Sequence, residues 1–216
     1  MPDTYDPADF PPLAVTVDLV LITVHEGRLE ALLQRRSEPP HKDALALPGG
    51  FVRVDESLDA AARRILIEKA RLDDTWLEQL YSFGDPGRDS RMRVVTIAYF
   101  ALIPVDRLAA ALAAHDDLML ASLDALPALA FDHAAIVDHA AARLRGKLDY
   151  TPVAFALLPP LFTLRALQDV HEAILGTPLN KPAFRRRMLD KGWIEGTGER
   201  EEGGAFRPAE LFRFKP

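Results

Sequence analysis

Near its start the chain reads AVTVDLVLITV, Ala14 to Val24, in which apolar and β-branched residues partly alternate; HEGR follows, and then LEALLQRR. Period-two apolar runs on either side of a short glycine-bearing turn predict a β-hairpin through Gly27. From Ser57 the spacing lengthens, and SLDAAARRILIEKARL predicts an amphipathic helix. LEQLYSFGDPGRDSRMRVVTIAYFALI then supplies two further strands around a polar loop, Gly84 to Arg93. The alanine-rich stretch Asp132 to Leu148 opens with an acid and closes near Gly146, as a helix does. Strands and helices mixed in this way predict an α+β fold.

DYTPVAFALLPPLFT, which follows, holds three prolines that interrupt helical continuation. A boundary is placed there, giving domains at residues 1–150 and 151–216. In the second, Thr163 caps TLRALQDVHEAIL, whose Leu167, Val170, Ile174 and Leu175 form an apolar stripe ending at Gly176. Asn180 caps a second helix, KPAFRRRMLDK, with Pro182 in its first turn and Gly192 as terminator. WIEGTGE and AFRPAELFRF flank REEGG as a hairpin. Helix, turn, helix, hairpin is the layout of a winged helix-turn-helix.

Composition narrows the function. With 216 residues, 49% apolar and 27% charged, the chain is an ordinary soluble globular sequence with a real core. A net charge of −6 argues against a protein that coats nucleic acid indiscriminately. The charge is uneven: residues 1–150 carry 16 basic and 24 acidic side chains, residues 151–216 carry 10 and 8. The absence of cysteine excludes disulfides, zinc thiolate clusters and cysteine nucleophiles. The first residues, MPDTYDPADFPPLA, lack the basic and apolar regions of a secretory leader, and no run approaches 18 apolar residues. A cytoplasmic protein with no membrane partner is expected.

The chemistry concentrates in GGFVRVDESLDAAARRILIEKARL, Gly49 to Leu72. This stretch resembles the Nudix box, whose frame it matches at Gly50, Glu56, Arg64, Leu66, Glu68 and Leu72. Ile65 and Lys69 stand where the box has glutamates, and Arg71 where it has glycine. A magnesium ion wants about six oxygen ligands in near-octahedral array. Residues 65, 68 and 69 fall within one helical turn, and only Glu68 among them is a carboxylate, so metal-assisted hydrolysis is expected to be badly impaired. Lys69, beside the backbone N–H groups of the Ser57 helix start, is expected to attract a diphosphate instead.

The surroundings of the box, residues 14–148, resemble Nudix domains that act on or bind ADP-ribose. PPLFTLRALQDVHEAILGTPLNKPAFRRRMLDKGWIEGTGE with the closing RPAELFRF resembles the C-terminal domain of the NrtR regulators of NAD metabolism. That resemblance implies an N-terminal Nudix-type α/β/α sandwich with a mixed sheet, followed by a winged helix-turn-helix domain. It implies a homodimeric repressor of NAD biosynthesis or salvage genes that binds a palindromic double-stranded DNA operator. The effector would be ADP-ribose or a related nucleotide, with no cofactor required, no metal site and magnesium weak at most. The ligand contacts implied are Gly49, Gly50, Arg64, Glu68, Lys69, Phe83 and Arg88. An active ADP-ribose pyrophosphatase, and a related regulator sensing a sugar or sugar phosphate, stay open as alternatives.

The segment 181–191 holds five basic residues and one acid. On a helical wheel Phe184, Met188 and Leu189 form an apolar arc, with Arg186 and Arg187 away from its centre and Arg185 nearer, as the arginine expected to be structural. DNA contacts are assigned to Thr163, Asn180, Lys181, Arg185, Arg186, Arg187 and Arg207, with arginine able to read guanine edges in the major groove. Arg200 could reach the adjacent backbone, although Glu199, Glu201 and Glu202 make the wing tip less basic. His133 and His139 are expected to be surface or packing residues, and Trp76 and Trp193 packing residues rather than base-stacking platforms.

Overall fold

A computed structural model describes residues 11–73, 75–201 and 208–215. Strand β1, Ala14–His25, runs through the middle of a mixed sheet. It pairs antiparallel with β2, Arg28–Arg35, across the predicted Gly27 turn, where Gly27 takes a φ of 74°. On its other side it pairs in parallel with β6, Val94–Leu102, which in turn pairs antiparallel with β5, Glu78–Phe83. Two short strands, β3 (Leu45–Ala46) and β4 (Gly49–Phe51), extend β2 and β1 respectively. The sheet is completed by β7, Leu118–Ser122, beside β2.

Alternation along β1 decides which face meets which helix. Val17, Leu19 and Leu21 pack with Ala61, Ala62, Ile65 and Leu66 of α1 (Leu58–Ala70) and Leu108 of α2 (Val105–Ala114). Val20 and Ile22 point the other way, onto Ile136, Val137, Ala140 and Leu144 of α3 (His133–Lys147). A strand buried on both faces reads as a near-continuous apolar run, as AVTVDLVLITV does. The architecture is the expected α/β/α sandwich with a mixed sheet. Helix α2 and strand β7 have no counterpart among the predicted elements: α2 follows Pro104 with no side-chain cap, and β7 is only five residues long. Helix α3 closes one residue past Gly146, at Lys147, as the sequence indicated.

The second half opens with a 3₁₀ turn, Val153–Leu157, and a short strand, β8 (Phe162–Thr163). Helix α4, Leu164–Leu175, begins with the Thr163 hydroxyl accepting from Ala166 N at 3.0 Å and ends at Gly176 with φ 69°. Helix α5, Lys181–Asp190, is capped by Asn180, whose Oδ1 accepts from Ala183 N at 3.0 Å. Strands β9 (Ile194–Arg200) and β10 (Glu210–Phe214) form the predicted hairpin, and β8 adds a third strand beside β10. The hairpin tip, including Glu202 and Arg207, lies outside the described residues.

The apolar core does not stop between the two halves. One cluster runs from Leu144 and Leu148 through Leu157 and Phe162 to Leu167, Ile174, Phe184 and Met188. Polar ties follow the same path. Arg145 Nε donates to the Ile174 carbonyl at 3.0 Å, Lys191 Nζ donates to the Asp149 carbonyl, and Arg187 lies 3.8 Å from the Asp149 carboxylate.

A truncation in this shared core should therefore be felt on both sides. Ile174→Ala is expected to cost about 2–5 kcal/mol, with Trp193 and Trp76 fluorescence moving to lower urea together in single-tryptophan variants. An unchanged Trp76 transition would refute the shared core. Buried His171 supplies a pH test: burial holds its pKa down to about 4 against the ordinary 6.5, Arg187 and Lys191 acting the same way and the Leu167 carbonyl and Asp149 opposing. The unfolded chain takes up this proton before the folded one, so the contribution is complete above pH 6.5. It is lost as pH falls towards about 4, on the order of 3 kcal/mol in all. Urea midpoints of His171→Leu should lose that part of the slope, and an identical slope in the parent and the variant would sink the assignment.

Candidate functional site

Strand β4 lies against β1 with Gly49 opposite Asp18 and Gly50 opposite Val17. A Cβ on Gly49 would meet Asp18 Oδ1 at 2.1 Å, so only glycine admits this carboxylate at that height. Above the pairing opens a cavity of about 350 Å³, lined by Gly49, Gly50, Lys69 and Arg88 among the expected ligand residues. Asp18, Arg36, Arg91, Phe131 and His133 also line it, and no sequence motif marks them as ligand residues. Asp18 had a visible signal, as the one acid inside an apolar strand.

Arg88 is buried beneath this cavity and donates Nε and Nη2 to the Asp132 carboxylate at 2.9 and 2.8 Å, with Asp18 Oδ2 at 3.5 Å. Burial works against its charge, and the two carboxylates outweigh that and leave its pKa raised. His133 Nδ1 accepts from Leu47 N at 2.9 Å, which leaves its proton on Nε2, 3.7 Å from Asp18 Oδ1. Burial pushes its pKa down, so it is neutral. Arg91 is spent on Asp89 through a two-point contact at 2.8 and 3.1 Å. Arg36 has no carboxylate partner among the described residues. Its Nε donates to the Pro40 carbonyl at 2.9 Å and Nη2 to the Glu38 carbonyl at 3.2 Å, while the guanidinium lies 4.9 Å from the Phe131 ring centre. Burial, then repulsion from Arg91, lowers its pKa.

Arg64, Glu68 and Phe83 do not line the cavity. Arg64 instead ties the entry loop to α1, donating to Glu56 at 2.6 and 2.9 Å, to the Phe51 carbonyl at 2.9 Å and to Glu68 at 3.1 Å. Glu56 is held down to about 2 by Arg64 and then by the Arg53 backbone N–H. Phe83 packs edge-on against His139, 5.7 Å between ring centres. A Nudix frame implies a divalent metal, and these donors do not fit one: residue 65 is a buried isoleucine, Glu56 and Glu68 are engaged by Arg64, and Lys69 brings a cation. Among the described residues no three His, Asp or Glu side chains are disposed to hold a metal. Lys69 also does not sit beside the Ser57 helix start. It lies in the last turn of α1, about 18 Å along the axis.

On α5, Phe184 and Met188 are buried, but Leu189 is 44% exposed and lies outside the apolar arc assigned to it. The tethered arginine is Arg187 rather than Arg185: it faces Asp149 and lies 5.7 Å from the Phe184 ring centre. Arg185 and Arg186 are exposed, as is Lys181. Arg186 has only a loose 4.0 Å approach to Asp190. Thr163 and Asn180 spend their side-chain oxygens on helix capping. Arg200 donates to the Pro208 carbonyl at 3.2 Å. Trp193 packs under Lys191, with Nζ 4.1 Å from its ring centre. Trp76, expected to pack, is 73% exposed.

The chain matches the NUDIX domain family over residues 12–140 and the NrtR DNA-binding winged helix domain family over residues 154–214. It is 42% identical, across 97% of its own length and 85% of the relative's, to the ADPR responsive transcriptional repressor NtrR of Acinetobacter baylyi. It is similar to Shewanella oneidensis NrtR complexed with a 27mer DNA, at a TM-score of 0.82 and 37% identity over 93% of each chain. It is also similar to the NUDIX domain of that protein complexed with ADP ribose, at a TM-score of 0.52 and 32% identity, covering 65% of this chain and 94% of the other. A Nudix sandwich with a cation in its metal position, joined to a winged helix with an arginine-bearing second helix, places this chain in the NrtR family.

Proposed function

We propose that the protein is a transcriptional repressor of NAD biosynthesis or salvage genes that senses ADP-ribose with its Nudix sandwich and reads DNA with its winged helix. The observation that carries this reading is the pairing of two sites in one chain. One is a cavity whose metal-ligand positions hold Ile65 and Lys69, suited to binding a nucleotide diphosphate without hydrolysing it. The other is a helix that turns Arg185 and Arg186 to solvent on an otherwise acidic chain. We place the boundary between the sensing and reading domains at residues 150 and 151, and take the functional unit to be a homodimer on a palindromic operator. No metal or cofactor is needed for this activity. Helix α3 gives the two sites a common support. Its first residue His133 lines the cavity and its cap residue Asp132 holds Arg88, which lines it too, while Arg145 in its last turn and Asp149 just beyond it hold α4 and α5.

Purified protein should retard DNA from its own upstream and neighbouring intergenic regions, and ADP-ribose should change the fraction retarded at fixed salt. Failure on every such fragment, together with AMP release from ADP-ribose in magnesium at enzymatic rates, on the order of 1 per second, would favour a pyrophosphatase instead. Arg185→Ala and Arg186→Ala should each weaken operator binding by about 1–3 kcal/mol where the side chain reads a base edge. Lys181→Ala should weaken all sequences alike and make the salt dependence shallower by about one unit for each phosphate it no longer neutralises. Binding of the double variant Arg185→Ala, Arg186→Ala as tight as the parent's at equal salt would show that α5 is not the reader.

A further inference from the structure

One lip of the cavity is built from backbone that most residues avoid. His41, Asp43 and Phe131 have φ of 59°, 67° and 56°, the left-handed region that non-glycine residues enter at a cost of about 1–2 kcal/mol each. The segments carrying them are stitched together by Ala130 N donating to the Leu45 carbonyl at 2.8 Å. The result is a stack in which Phe131 meets His41 edge-on at 4.8 Å and holds the Arg36 guanidinium against its ring. Two loop carbonyls fix that guanidinium in its plane, and among the described residues Nη1 makes no hydrogen bond. Lys69 lines the same cavity and has no ion pair or hydrogen bond among the described residues.

The charges of the cavity are unequal in kind. Arg88 and Arg91 are each neutralised by carboxylates at hydrogen-bond distance, so they are spent on the architecture. Arg36 is held by its loop carbonyls with no carboxylate at hydrogen-bond distance among the described residues, and Lys69 reaches the same cavity from the exposed face of α1 with no ion pair there, so both charges are open to an anion. A diphosphate diester carries two negative charges, which a divalent cation would ordinarily balance. A planar guanidinium and an ammonium supply the same two charges, the guanidinium with its hydrogen-bond donors already oriented.

We propose that Arg36 and Lys69 form a metal-independent clamp for the diphosphate of the effector, with the Phe131 stack setting the position of Arg36. The clamp rests on the reading of this cavity as a nucleotide sensor and adds the residues that select for a diphosphate. A role for Arg36 only as a staple of its own loop makes a different prediction, because loss of the staple would weaken every ligand of the cavity alike.

Isothermal titration of the full chain separates these. The parent should bind ADP-ribose equally well in EDTA and in magnesium. Arg36→Gln and Lys69→Gln should each weaken ADP-ribose at least tenfold, about 1.4 kcal/mol, while leaving the weaker binding of adenosine unchanged, and circular dichroism should show both variants folded. Arg36→Lys should fail to restore affinity, since an ammonium cannot keep both carbonyl contacts and the stack. Binding that requires magnesium, a parent-like affinity in either glutamine variant, or an equal loss for adenosine and ADP-ribose would overturn the clamp. Inorganic pyrophosphate distinguishes the clamp from the identity of the effector. Pyrophosphate bound without metal and lost in Arg36→Gln, alongside no response to ADP-ribose, would leave the clamp standing and remove the effector. No binding of either ligand would remove both.

Discussion

A carboxylate buried in the middle of a sheet organises everything around it. Stripping Asp18 of water costs several kcal/mol unless partners replace the solvent, and its position on β1 leaves few ways to provide them. The structure provides three. Gly49 removes a side chain that would collide with it, Arg88 reaches in from the loop between β5 and β6, and His133 approaches from the start of α3. Arg88 in turn needs Asp132, because one carboxylate at 3.5 Å does not satisfy a buried guanidinium. A single acid in an apolar strand thus fixes a glycine turn, a long loop and the end of a helix in one arrangement, and the cavity is the space they enclose.

Helix α3 carries that arrangement across the molecule. Its fifteen residues span about 22 Å. Its capping end is held by Arg88 and Leu47, and its far end holds the winged half through Arg145 and Asp149. Between them Ile136, Ala140 and Leu144 bury one face in the same apolar cluster that includes Ile174 and Phe184. A close-packed rod has little room to flex, and this one joins His133 at the cavity to the place where Asp149 meets Arg187 and Lys191. The arginine that the structure ties down is Arg187, which faces Asp149 and the Phe184 ring, and not Arg185, which the wheel placed nearer the apolar side.

Much of this was legible in the sequence because it depends on local rules. The hairpin through Gly27, the caps at Ser57, Thr163 and Asn180, and the stop at Gly176 all follow from residues a few positions apart. The Nudix frame with Ile65 and Lys69 was equally plain. Strand β8 and helix α2 were not, since two residues give no period and alanine-rich helices without a cap give little signal. The cavity was half legible. Glycines and Lys69 came with the motif, but Arg36, Phe131 and His133 reach it from segments up to 97 residues apart, and only the pairing of loops 36–45 and 129–133 brings them together. Arg64 shows the opposite case: the motif marks it, and its contacts bind Glu56 and the Phe51 carbonyl, keeping the entry loop on the helix.

That division separates the residues that hold the frame together from those that would meet a cation. Glu56 and Arg64 interact with each other and with backbone, and Gly50 pairs with Val17, so these residues shape the loop and seat the helix without a bound cation. Carboxylates at positions 65 and 69 would bring that dependence, because three carboxylates within one turn repel one another unless a cation sits among them. Replacing one by isoleucine lets it join the apolar layer under β1, where Ile65 is fully buried. Replacing the other by lysine puts a cation in the last helical turn, where the helix dipole favours it. Both changes relieve a repulsion that the metal would otherwise have had to offset, and both leave the scaffold intact. Ile65 therefore belongs to the apolar layer of the sandwich, and Lys69 adds its charge to the cavity, without either asking the rest of the frame to change.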